Sequence, residues 1–182
     1  VESCVVIDKD PARRLKIAYL SADMCEHVVA DCLEGVLRAR DREMQHVSCY
    51  QRNVTDDSGT EKLRALSDDW FKCAHLTPMQ VNKRIREDKI DILIDLGGQT
   101  KNSQINIMAM CPAPIQVSWI GYPNSTGLDC VQYRITDAVC DPIDSTQIYS
   151  EKLVRLPTFF NCLQKSKMIR LLPAVDPPCV SK

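Results

Sequence analysis

The sequence predicts an α/β domain, a Rossmann-like parallel sheet with helices on both faces, on three observations. Short apolar runs rich in strand-favouring residues recur along the chain, among them LKIAYLS at Leu15–Ser21 and IDILIDL at Ile90–Leu96. Segments with helical spacing of apolar residues, or with helix-start signals, separate those runs. With 182 residues, 45% hydrophobic and 26% charged, the chain is large enough to bury one real core.

The elements follow in order. After a polar leader over 1–14, the strand at Leu15–Ser21 leads into a helix that runs through Leu37. His46–Tyr50 reads as a strand, Asp56–Gly59 (DDSG) as a turn, Thr60–Leu66 as a polar helix and Trp70–His75 as a third strand. Thr77 is placed to cap a helix with Pro78 at its first position, ending near Asp88. Ile90–Leu96 and Ile115–Ile120 are strands flanking a helix from Ser103 to Met110, which must stop before Pro112. Tyr133–Thr136 and Leu153–Leu156 are shorter strands, and 161–182, with three prolines and no amphipathic period, is an irregular tail. The domain is therefore expected over 15–160.

Composition excludes several functions. The formal net charge is −1, from 23 Lys and Arg against 24 Asp and Glu, so no overall field attracts nucleic acid or an acidic membrane. There is no apolar run long enough to span a bilayer, and VESCVVIDKDPARR lacks the layout of a secretory signal, so a cytoplasmic or nuclear location is expected. On that expectation the sequons at Asn53 and Asn124 are chance matches. The ten cysteines show no zinc-knuckle spacing and sit mostly in apolar runs such as HVSCY, where Cys behaves as a small hydrophobe. No metal site is assigned, because the three histidines also lack ligand spacing.

In open α/β sheets ligands bind beyond the carboxyl ends of the strands, which directs attention to four loops. The first, Ala22–His27, sets an imidazole beside a strand end; His27 is either an acid, base or hydrogen-bond donor, or simply a polar loop residue. His46 and His75 lie within expected strands and read as structural. The second loop, Asp95–Thr100, carries paired glycines, Gly97 and Gly98, that permit close approach of a ligand or a facing backbone, with Asp95 and Thr100 as polar neighbours. It has neither a Rossmann fingerprint nor a Walker pattern, so a nucleotide site is not supported in this lobe. The third, Gly121–Gly127, is a turn or a ligand loop. The fourth holds Asp137 and Asp141, whose plain reading is helix capping.

Taken together, the stretches YLSADMCEH, REDKIDILIDLGGQT, CPAPIQVSWIGYPNSTG, YRITDAVCDP and YSEKLVRLP resemble the O-linked N-acetylglucosamine transferase and SPINDLY family over Leu15–Phe160, and the SPINDLY branch more closely. The resemblance implies one lobe of a GT-B, two-lobed, metal-independent inverting glycosyltransferase. Such an enzyme moves a sugar from UDP-GlcNAc or GDP-fucose to Ser or Thr of intracellular proteins. His27 then matches the active-site histidine and Asp95 an acidic position that tunes the cleft. Gly98, Gln99 and Thr100 fall in the adjoining substrate loop, with Gln99 departing from the His or Tyr usual there. Gly121, Tyr122 and Pro123 match the loop that reaches toward the donor sugar. No cofactor is implied. The resemblance also implies a second, donor-binding lobe and upstream helical repeats with no counterpart in these 182 residues, so this chain alone is expected to be inactive. The alternative is a truncated, non-catalytic protein-interaction module.

Overall fold

A computed structural model describes residue 10 and residues 12–162. The leader and tail expectations for 1–9, 11 and 163–182 lie outside the described residues.

Seven parallel strands, in the order β3-β2-β1-β4-β5-β6-β7, form one sheet: β1 Leu15–Ser21, β2 Gln45–Gln51, β3 Asp69–Lys72, β4 Ile92–Asp95, β5 Ile115–Trp119, β6 Tyr133–Asp137 and β7 Lys152–Leu156. The helices are α1 Val28–Ala39, α2 Ser58–Leu66, α3 Pro78–Glu87 and the single turn α4 Ile105–Met108.

Side chains on successive strand positions point to opposite faces, and both faces of this sheet are covered. Tyr19, Val47, Cys49, Ile94 and Trp119 pack with Leu33 and Leu37 of α1 and Leu63 of α2. Ala18, Leu20, Tyr50 and Leu93 pack with Val81 and Ile85 of α3 and Ile107 and Met108 of α4. Each fully buried Leu or Ile in these clusters contributes roughly 1.5–3 kcal/mol of transfer free energy. The helix starts are chemically specified. His27 Nδ1 accepts from Val29 N, Asp57 accepts from Thr60 N, and Thr77 with Gln80 completes a capping box ahead of Pro78.

Several boundaries differ from expectation. β4 is Ile92–Asp95 rather than 90–96, because Lys89 turns out of α3 at φ 55° and Leu96 already begins the next loop. β3 stops at Lys72 because Leu76 N donates to Cys73 O in a turn, which leaves His75 exposed outside any strand. The helix expected from Ser103 to Met110 shrinks to α4, since Ser103 Oγ accepts from Ile105 N and tight turns through Cys111 replace the last residues. Asp137 and Asp141 cap no helix. Asp137 accepts from the backbone of Val139, Cys140 and Phe160, while Asp141 accepts from Thr136 and Tyr149. His46, as read, is structural: it meets Asp69 at 2.6 Å across the β2–β3 pair.

The chain leaves β1 toward β2 and β3 and then returns to lay β4 on β1's other side. The sheet order therefore reverses between β1 and β4, which opens a crevice at their carboxyl ends.

Candidate functional site

Three loops meet at that crevice. The β1 loop is held from beneath by α2: Asp57 accepts from Glu26 N (2.8 Å), Thr60 Oγ1 donates to Met24 O (2.9 Å), and a methyl on Gly59 would sit 2.7 Å from Cys25. Asn53 adds a bond from its amide to Ala22 O. The loop therefore delivers His27 to the N-cap of α1 in a defined orientation. An imidazole nitrogen that accepts carries no hydrogen, so with Nδ1 receiving the Val29 amide at 3.2 Å the neutral ring bears its proton on Nε2.

The β4 loop folds around Asp95, which is 1% exposed and accepts from Gly98 N (2.7 Å) and Gly97 N (3.3 Å). Burial pushes its carboxyl up to about 6, against the pull of those two amides, with the nearby charge of Asp23 a smaller upward push. Thr100 Oγ1 donates to Gly97 O at 2.8 Å and Ser103 Oγ to Gly98 O at 2.5 Å, which closes the turn.

The β5 loop then packs backbone to backbone on the β4 loop. Four of the chain's six glycines lie in these two loops, and two of them are required by the contact. A Cβ on Gly121 would stand 2.1 Å from Leu96 O, and one on Gly98, at φ 56°, would stand 2.5 Å from Tyr122 Cβ. Gln99 ties the loops again, its Nε2 donating to Thr126 O at 2.8 Å.

The resulting cleft has a volume of ≈ 360 Å³ and is lined by Asp23, His27 and Val29 from the β1 side, by Thr100, Lys101 and Asn102 from the β4 loop, and by Gly121 from the β5 loop. Of the residues singled out from sequence, the fold brings His27, Thr100 and Gly121 to this cleft. Asp95 lies buried beneath the turn, Gly98 is buried against Tyr122, and Gln99 is exposed but engaged with Thr126; none of these three lines it, and neither do Tyr122 and Pro123. Sequence reasoning missed Asp23, Lys101 and Asn102. The available signal was position, since each stands in a loop directly after a strand flanking the reversal point.

Among the described residues there are larger depressions, two of which bear comparison. One of ≈ 420 Å³ adjoins the cleft, shares Asn102 and is lined by Arg52, Asn53 and Gln104 among others. The other, ≈ 710 Å³, is a surface groove between α3 and Ala109–Cys111, and no residue of the β1 or β5 loop lines it. The smaller cleft is the candidate site because, unlike those two, it joins His27, a cation (Lys101) and the amino end of a twelve-residue helix at the reversal point. Such groups can offer hydrogen-bond donors and positive charge to an oxygen-rich ligand, with Asp23 as an acidic neighbour. Among the described residues no group of three or more His, Cys, Asp or Glu is placed to hold a metal ion, and no helix is long and apolar enough to cross a membrane.

Comparison with known proteins shows the family and agrees with the fold. Residues 6–175 match the model of glycosyl transferase family 41. The SPINDLY protein of Petunia hybrida, named as a probable UDP-N-acetylglucosamine–peptide N-acetylglucosaminyltransferase, is 41% identical over 162 residues, covering 87% of this chain and 17% of that protein. The UDP-N-acetylglucosamine–peptide N-acetylglucosaminyltransferase of Caenorhabditis elegans is 34% identical over 88% of this chain and 14% of its own length. A solved structure of the Thermobaculum terrenum O-GlcNAc transferase, a K341M mutant, superposes with a TM-score of 0.83 at 38% identity, over 88% of this chain and 31% of that one. The chain thus spans less than a fifth of the length of these curated relatives.

Proposed function

The chain belongs to glycosyl transferase family 41, and on that premise we propose that residues 15–160 form the first lobe of a two-lobed protein O-glycosyltransferase. The observation that carries the proposal is the convergence of His27, Thr100 and Gly121 on one cleft at the reversal point of the sheet. In this reading the acceptor is a Ser or Thr hydroxyl of an intracellular protein in the cytoplasm or nucleus, and the donor is UDP-GlcNAc or GDP-fucose. A second lobe grips the nucleotide, and upstream helical repeats present the acceptor protein.

The chemistry is a single displacement in which the acceptor oxygen bonds to the anomeric carbon, the bond from that carbon to the diphosphate breaks, the nucleoside diphosphate leaves, and the hydroxyl's proton passes to the departing diphosphate or to water. His27, with its proton on Nε2, donates a hydrogen bond that orients an oxygen of the sugar or the acceptor. Taking up the acceptor's proton on Nε2 would require the ring first to exchange tautomers and release Val29 N. Gly121, whose N–H is engaged with Trp119 O, lets the sugar approach without a side-chain clash, and Gly98, Gln99, Tyr122 and Pro123 act by shaping the two loops. Asp95 acts through the turn it organises rather than by touching substrate.

Two measurements test the proposal. Titration calorimetry of the chain with UDP-GlcNAc and with GDP-fucose is expected to give no saturable heat, because the donor's nucleotide needs the second lobe. A two-lobed polypeptide carrying this sequence is expected to transfer label from one of the two donors to acceptor protein, and His27→Ala to slow that transfer at least 100-fold. A two-lobed polypeptide that transfers from neither donor would overturn the enzymatic reading in favour of a protein-interaction module.

A further inference from the structure

The β5 loop, which the proposed function places against the donor sugar, begins with a residue in an unfavourable conformation. Ile120 has φ 73°, in the left-handed region that β-branched residues avoid. It stands between the end of β5 and Gly121, so it sets the direction in which the loop leaves the sheet. Such a conformation persists only where surrounding contacts over-determine it.

At Ile120 itself, Gly121 N donates to Trp119 O at 3.0 Å and the side chain packs on the core; beyond it, the loop is held by two charged residues that the sheet buries. Arg134, the second residue of β6, is 3% exposed, and its Nη1 donates to Tyr122 O at 2.7 Å and to Asn124 O at 3.3 Å. Its Nε has no acceptor, so the guanidinium is not buried for the sake of complete pairing. Glu151, just before β7, is 5% exposed. Its Oε1 accepts from Thr126 N at 2.7 Å and from the Thr126 hydroxyl, and its Oε2 from Ser125 Oγ at 2.9 Å. Burial alone would raise its carboxyl, but the bonds from Thr126 and Ser125 outweigh that and hold it below the usual range, so it stays an anion. Gln99 closes the far side through Thr126 O.

A cation thus takes the carbonyls at the front of the loop while an anion takes the donors at its back. Charged partners make the stronger hydrogen bonds, and both lie out of water, where they are least screened. The two residues stand in β6 and immediately before β7, the last two strands of the sheet, which themselves reach no part of the cleft.

We propose that Arg134 and Glu151 are positioning residues that hold Gly121–Gly127 in its ligand-ready shape, against the strain at Ile120, before any sugar binds. This inference rests on the glycosyltransferase reading for the identity of the ligand, but the pre-ordering of the loop does not. A loop ordered in advance lowers the cost of binding, so the role appears in the Michaelis constant for the donor.

The test uses three variants. Arg134→Met removes the two carbonyl contacts, and Glu151→Gln sets an amide against donors. Gln99→Ala removes one bond at an exposed position, where folding is least disturbed. In the described chain, amide hydrogen exchange at Thr126 and Gly127 is expected to rise at least tenfold in the first two variants and severalfold in the third, with Val117 and Ile135 in the sheet unchanged. In the two-lobed polypeptide, the donor KM is expected to rise about tenfold with the acceptor KM within twofold of wild type.

Unchanged exchange in the loop overturns the proposal, and so does exchange that rises equally through β5 and β6, because Arg134 and Glu151 would then hold the fold as a whole. A loosened loop with an unaltered donor KM overturns the positioning role. If the wild-type two-lobed polypeptide transfers no sugar, the glycosyltransferase reading fails instead, and the exchange data alone decide whether these residues order the loop.

Discussion

The α-carbon of Gly121 lies so close to the carbonyl oxygen of Leu96 that a methyl group there would stand 2.1 Å from it. The loops after β4 and β5 are in direct backbone contact at this point, and the wall of the cleft is built on that contact.

Gly121→Ala is therefore expected to force the two loops apart. Overpacking of this kind costs about 1–3 kcal/mol, which for a chain of this size lowers Tm by roughly 2–4 °C per kcal/mol. Gly127→Ala is the control. Gly127 has φ 74° and nothing within 4 Å of its missing methyl, so that change meets only the backbone penalty of about 1–2 kcal/mol. Thermal unfolding reads stability, and amide chemical shifts at Gly97 and Gly98 should move for the first variant and not for the second.

His27 combines a helix cap with a place in the cleft, and two substitutions separate the roles. Asn is a good N-cap, so His27→Asn should keep stability within about 0.5 kcal/mol, whereas His27→Ala should cost about 1 kcal/mol. If the imidazole serves the site, both variants lose transfer activity equally in the two-lobed polypeptide. Activity that follows stability, with Asn near wild type, would reduce His27 to a cap.

Asp95 predicts a pH dependence. Its carboxyl is raised by burial from an ordinary 3.8 to about 6. Below pH 3.8 it is protonated in both states; between 3.8 and 6 the folded state keeps a proton that the unfolded state has lost. Its contribution to stability is therefore fullest below about pH 4 and is lost as pH rises through 6, by roughly 3 kcal/mol in all. Asp95→Asn cannot titrate. Denaturant unfolding at pH 4 and pH 7 should show the stability of wild type falling relative to this variant by about that amount; a constant offset would mean that Asp95 titrates in the ordinary range.

The eight described cysteines are all free thiols, and they should divide by burial. Cys111, Cys140 and Cys162 are exposed, whereas Cys32, Cys49 and Cys73 are buried, and burial pushes the Cys49 thiol up to about 12. Brief treatment of the native protein with iodoacetamide, followed by peptide mass spectrometry, should find the first three alkylated and the second three untouched. Early labelling of Cys49 would show that the core facing α1 and α2 opens readily.

Much of this was legible in one dimension because the signals act over a few residues. The Thr77-Pro78 start of α3, the apolar run of β1 and the glycine pair after β4 depend on local composition, capping and φ, which neighbouring residues specify. The strand ends were read less well: Ile90 and His75 have strand-like neighbours, but a turn out of α3 and a turn after Cys73 claim them. Gln99 stands out as a departure from the resembled pattern, yet its bond to Thr126, 27 residues away, has no trace in its surroundings.

By itself, then, the sequence determined the class of fold, the order of its elements, the kinship with glycosyl transferase family 41 and four candidate loops, three of which meet at the site. Only the tertiary structure decided that His27 caps α1 with Nδ1, that Asp95 is buried under a turn, that Gly98 and Gly121 serve contact between loops, and that Lys101 and Asn102 join the cleft. The reason is range. Helix and strand patterns repeat within a few residues, whereas the roles of Gly121, Arg134 and Glu151 are defined by partners that only the parallel pairing of β4, β5, β6 and β7 brings within hydrogen-bonding distance.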